Sequence, residues 1–198
     1  AAFDAGRAPK LEEMRLHNGT IYRWNRPIYD LVDGRAHLRV ENRVLPAGPT
    51  IVDVLANAAF YYGAIRMLAH EDRPVWTKMS FAACEENFNR AARDGIDAHL
   101  YWPGFGELSA EELMLRHLLP LAHEGLRQWG VSDAVRERFL GVIEGRCTTG
   151  VNGAVWSTKA VEAFEAGGCT RSEALSRMLE LYAVHMDSNA PVHTWPLP

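Results

Sequence analysis

The chain has 198 residues, a formal charge of −4 and three widely spaced cysteines. That length fits one domain able to bury roughly 70% of its unfolded surface without staples. The mildly acidic, mixed charge argues against nucleic acid or an anionic membrane as the main partner. The cysteines match neither a disulfide framework nor a metal pattern, so a reducing cytoplasm is the expected setting.

In chain order, residues 9–16 read as a short helix. The next stretch, about residues 19–45 within the limits 17–46, reads as a β-hairpin. Asp33-Gly34 is a two-residue turn signal, because both central residues must tolerate positive φ. With those two at the tip, counting pairs Val32 with Arg35, Asp30 with His37, Ile28 with Arg39, Arg26 with Glu41 and Trp24 with Arg43. Cross-strand partners share a face. One face then carries Thr20, Tyr22, Trp24, Arg26, His37, Arg39, Glu41 and Arg43; the other carries Ile21, Leu38, Val40 and Val44, with Arg23 and Asn25 as exceptions. A carboxylate among several guanidinium groups suits an anionic, metal-bearing ligand.

Pro46 to Pro49 breaks the pattern, and Thr50 with Asp53 three residues on marks a helix start. The helix over 51–69 is apolar nearly all round, which predicts a central, buried element. No run of about 18 apolar residues is read, so no membrane-spanning segment is expected. Further helices are expected over 78–94, 109–129, 132–144, 153–166 and 170–186, giving a helical body over 50–188. Other short strand candidates, such as His99-Leu-Tyr-Trp102, carry a weak signal. A lone hairpin is marginal in water, so it is expected to dock on the helices or join further strands. The fold class expected is α+β, predominantly helical, with one hairpin on about six helices.

Several side chains have plainer readings. Asp53 reads as a helix cap, Asn57 as a buried hydrogen-bond partner and the cysteines as buried apolar fillers. Glu85 to Arg93 reads as a solvated helix face from which Arg90 can reach a phosphate. His185, Asp187 and His193 match no metal-site spacing. Gly104-Phe-Gly106 reads as a turn. Gly150-Val-Asn-Gly153 precedes a helix, where an anion could sit at the N-terminus.

The run His17-x-x-Thr20-x-Tyr22, then Arg26, then Leu38-x-x-Glu41-x-Arg43 resembles the core hairpin of glutamate–cysteine ligases of the plant and proteobacterial type. His117 to Leu126 and Gly168 to Leu175, ahead of Leu181-Tyr182, resemble helical segments of the same family. The resemblance implies a glutamine synthetase-like catalytic sheet and an ATP- and Mg²⁺-dependent joining of the glutamate γ-carboxylate to an amine such as cysteine, through a γ-glutamyl phosphate. By motif match, Arg26 and Arg43 become catalytic. Glu41 becomes the metal ligand, Arg43 a nucleotide contact, and His17, Thr20, Tyr22 and Arg26 bind substrate. Family members also carry metal-binding glutamates on Glu-x-Glu strands, which this sequence lacks. The chain is therefore expected to be the C-terminal part of a longer ligase, inactive alone and completed by the N-terminal half of the polypeptide or by a second copy. The rivals are a noncatalytic helical module that keeps the hairpin for ligand binding or docking, and a phosphagen-kinase-like phosphotransferase.

Overall fold

The computed structural model describes residues 2, 4–20, 24–45 and 47–198. The chain forms two compact units, residues 1–47 and 48–198, each taken by itself. The division falls in the proline-bounded breaker between hairpin and helices. The expected α+β, mostly helical composition is present, with two small antiparallel sheets.

The first unit contains helix α1 (Glu12–Thr20) and strands β1 (Asn25–Val32) and β2 (Arg35–Asn42). The strand register is the predicted one, from Val32↔Arg35 through Ile28↔Arg39 to Arg26↔Glu41. Asp33 and Gly34 turn with φ of 50° and 75°, as an Asp-Gly tip requires. One more rung follows, where the Arg43 amide donates to the Trp24 carbonyl at 2.9 Å. The expected start of the hairpin is corrected: His17 and Thr20 lie on α1, not on a strand. Glu12 and Glu13 favour the positive N-terminal end of that helix. At its other end the Thr20 hydroxyl donates to the Leu16 and His17 carbonyls, each at 3.1 Å. Such local bonds, with Arg26 described below, occupy carbonyls that a helix end leaves open.

The second unit opens with α2 (Ile51–Leu68), capped by Thr50, whose hydroxyl oxygen accepts the Asp53 amide. A 3₁₀ turn (Val75–Thr77) leads to α3 (Phe81–Asp94). A hairpin follows, β3 (His99–Trp102) with β4 (Gly106–Ser109). The second strand was missed in the sequence because it is four residues long and begins on glycine. Asn87 on α3 covers β3: its amide nitrogen donates to the Tyr101 carbonyl at 2.7 Å, and its oxygen accepts the Tyr101 amide at 2.8 Å. Arg90 is engaged by Glu86 and Glu107, both at 2.8 Å, so it fastens α3 to the hairpin.

The segment read as one helix over 109–129 is three pieces: α4 (Ala110–Leu113), a π-helical turn (Met114–Leu118) and α5 (Leu119–Gln128). Pro120 explains the interruption. It has no amide hydrogen for the residue four back, and its ring crowds that carbonyl. The Leu119 amide bonds instead to Met114, five residues back. Helices α6 (Asp133–Thr149), α7 (Gly153–Ala166) and α8 (Arg171–Ser188) complete the body, with the Thr170–Glu173 capping box on α8. Ser132 stands at the α6 cap position but makes no capping bond. The Asn152 side chain accepts the Val155 amide at the start of α7, which fills the site offered above to an anion.

The main core joins α2, α5 and α6 through Val52, Ala56, Leu119, Leu126, Leu140 and Ile143. A second core stacks Trp156 edge-on against Trp195, with centroids 5.1 Å apart, and closes over Val192. The expectation that α2 is buried all round is corrected: Ile51 is 70% exposed and Tyr62 is 52% exposed. Among the described residues α2 alone is long and apolar enough to cross a membrane. It also carries Asp53 and Arg66, and its Asp53 is tied into α6. Of the cysteines, Cys147 is the buried filler expected, and burial pushes its thiol pKa up; Cys84 is exposed.

Candidate ligand site

Arg26 on β1 and Glu41 on β2 face each other because their strand positions pair. Arg43 lies two residues beyond Glu41, hence on the same face. The three groups meet at one atom: Glu41 Oε2 is 2.8 Å from Arg26 Nε and 2.9 Å from Arg43 Nε. Arg43 donates a hydrogen bond there. The Arg26 Nε–H is not aligned on the oxygen, so that contact is an ion pair. All three side chains are partly shielded from water.

Partial burial is the largest single influence on Glu41 and acts to raise its pKa. The Arg43 hydrogen bond and the charges of Arg26 and Arg43 together outweigh it, and the carboxyl is held below its ordinary value of 4.5. A lowered carboxylate pKa means the cluster's contribution is complete above the unfolded value and fades as pH falls through the folded one. We expect the Glu41 carboxyl carbon, followed by NMR, to titrate with a midpoint below 4.5, and Arg43→Ala to move that midpoint upward. A midpoint unmoved by the substitution would refute the assignment.

Arg26 has a second role. Its Nη1 donates to the carbonyl of Asn18 at 2.9 Å and more weakly to that of Gly19 at 3.4 Å. A guanidinium on the last carbonyls of a helix is a favourable cap. Arg15 of α1 also pairs with Asp30 at 2.7 Å. Between α1 and the hairpin lies a cavity of about 400 Å³ whose lining includes Arg15, Arg26, Arg39, Ile28 and Asp30. Its size is within the range of small-ligand pockets. Glu41 and Arg43 do not line it, so cluster and cavity share only Arg26.

The remaining predicted residues divide. His17 is exposed on α1, and Thr20 uses its hydroxyl on the helix, so neither joins the cluster. Tyr22 lies outside the described residues. His37, expected on the same face, lines a separate hollow at the hairpin tip with Asp33 and Arg35. Among the described residues no group of three or more His, Cys, Asp or Glu side chains is placed to hold a metal. Glu41 offers one carboxylate, which is what magnesium commonly takes from a protein when phosphates and water supply the rest. Two guanidinium charges on its Oε2 leave only Oε1 for that purpose.

A second polar centre lies in the helical unit. Asp53 is 0% exposed. Its Oδ1 accepts Arg146 Nη2 at 2.6 Å, and its Oδ2 accepts the Thr50 hydroxyl at 2.8 Å and the Val192 amide at 3.2 Å. Arg146 Nη1 also donates to Asn57 Oδ1 at 2.6 Å. The sequence signal was present, in a carboxylate and an amide one turn apart on an apolar helix. Their shared partner Arg146, 93 residues from Asp53 and 89 from Asn57, carried no sign of the pairing. Asp53 is fully buried and both of its oxygens are hydrogen-bonded, so this centre is a structural clasp, not an open site.

No known protein family matches the chain, and no curated protein or solved structure does.

Proposed function

We propose that the hairpin is part of the catalytic face of an ATP- and Mg²⁺-dependent carboxylate–amine ligase, glutamate–cysteine ligase-like, on a glutamine synthetase-like sheet. The observation that carries this reading is the sharing of one Glu41 oxygen by the guanidinium groups of Arg26 and Arg43. In the proposed reaction a glutamate γ-carboxylate oxygen attacks the terminal phosphorus of ATP and ADP leaves. An amine such as that of cysteine then attacks the acyl carbon and releases phosphate. Catalysis of phosphoryl transfer is mostly positioning and charge stabilisation. Arg43 stabilises the transferring phosphoryl group, and Arg26 holds the glutamate carboxylate or the same phosphate. Glu41 acts as an internal counter-anion that keeps both guanidinium groups aimed before a ligand arrives. Magnesium, when bound with the nucleotide, would shield phosphate charge, and Glu41 would hold it through Oε1. The remaining sheet and acidic groups would come from the N-terminal half of the polypeptide or from another copy.

The engagement of Arg26 by Asn18 and Gly19 favours a second reading, a noncatalytic module in which the cluster fastens α1 to the hairpin. Calorimetric titration of the native gene product with MgATP and glutamate separates the two. Saturable heat that disappears in Glu41→Ala supports the ligase; absence of heat supports the module.

A further inference from the structure

The groove between α5 and α6 carries chemistry that the hairpin reading does not use. Pro120 forces the π-helical turn (Met114–Leu118), and such turns are frequent at functional sites. From the turn onward, Leu115, Leu119 and His123 follow one another at four-residue intervals and so share a face. Across from them, Arg136 and Glu144 stand eight residues apart on α6, again on a common face. With Pro120, Glu124 and Arg127 these residues line a cavity of about 490 Å³.

The charges in this cavity are unequally engaged. Arg127 is held by Glu124 through two bonds of 2.7 Å each. Arg136 is held by Asp133 at 2.6 Å and by the Val131 carbonyl. Glu124 is fixed as an anion by Arg127 and Gln128, with its carboxyl pKa lowered to about 2. Two groups make no side-chain hydrogen bond or ion pair among the described residues: the half-buried His123 imidazole and the exposed Glu144 carboxylate at the rim. The groups left open are therefore a carboxylate and an imidazole, beside an apolar floor of Leu115, Leu119 and Pro120.

We propose that this groove is a binding site for a small organic ammonium with a short branched or aromatic apolar body. Glu144 takes the ammonium in a charge-assisted hydrogen bond, His123 accepts a second N–H, and the leucines and proline cover the hydrocarbon. A carboxylate ligand is disfavoured, because both guanidinium groups are already paired and the open charge is negative.

Isoamylammonium is the probe, followed on the 198-residue chain by NMR shift perturbation, with 3-methylbutan-1-ol as the neutral analogue and isovalerate as the anionic one. The ammonium should saturate shifts at Leu115, Leu119 and His123, and the alcohol and carboxylate should not. Glu144→Gln and His123→Ala, judged folded by unchanged helical circular dichroism, should each weaken the ammonium about tenfold, the loss expected for one hydrogen bond to a charged group. Equal binding of the alcohol, binding unaffected by Glu144→Gln, or no saturable shifts in this groove would each overturn the proposal.

Discussion

Replacing Asp53 with alanine is expected to destabilise the helical unit by about 3–5 kcal/mol, because it strands Arg146 as an uncompensated buried charge. Asp53 is wholly enclosed, and its two oxygens hold Arg146, Thr50 and the Val192 amide. Those partners belong to the start of α2, to α6 and to the C-terminal segment, so one carboxylate joins three parts of the unit. Arg146→Met should cost a similar amount for the converse reason. Asp53→Leu combined with Arg146→Met should cost far less than the sum, since no lone charge remains. Urea denaturation gives the energies. Hydrogen exchange at Val192 gives the local effect, since that amide should lose its protection in Asp53→Ala. A loss below about 1 kcal/mol, the size of an exposed pair, would show that the clasp does not hold the unit together.

The second large effect is expected where α2 crosses α5. A Cβ on Gly125 would lie 2.0 Å from the Gly63 carbonyl oxygen, and one on Gly63 would lie 2.2 Å from that of Ala122. Both obstacles are backbone, which cannot rotate aside, so the helices would have to separate and open the packing around Ala56, Ala122 and Leu126. Alanine is the better helix former by about 1 kcal/mol, and intrinsic propensity alone would make Gly125→Ala stabilising. Overpacking should prevail and leave a net loss of about 2–3 kcal/mol. Gly141 on α6 is the control, because a Cβ there meets nothing within 4 Å. Gly141→Ala should gain up to about 1 kcal/mol. Thermal unfolding of the two variants checks this, and equal stability would contradict the close crossing.

Signals confined to a few neighbouring residues were legible in the sequence. Asp33-Gly34 set the hairpin register, and with it the meeting of Arg26, Glu41 and Arg43. Thr50, Ser109 and Thr170 marked helix starts, since each side chain accepts an amide three residues on. Features set by distant partners were not legible. His17 and Thr20 share the hairpin motif, yet they complete a helix whose last carbonyls Arg26 covers. The apolar pattern of α2 spoke for burial, while the body packs chiefly on the side carrying Val52, Ala56, Gly63 and Ala64. Asp53 looked like a cap and is one, but its larger role depends on Arg146 and Val192.

The most direct test of the hairpin as a ligase face is trapping of its proposed intermediate. The native gene product is incubated with ATP, Mg²⁺, glutamate and hydroxylamine, and γ-glutamyl hydroxamate is measured. Hydroxylamine nitrogen attacks the acyl carbon and displaces phosphate, so hydroxamate and phosphate should appear in equal amounts and be lost in Arg26→Ala and Arg43→Ala. No hydroxamate from the unaltered protein, or undiminished formation in both variants, would contradict the assignment.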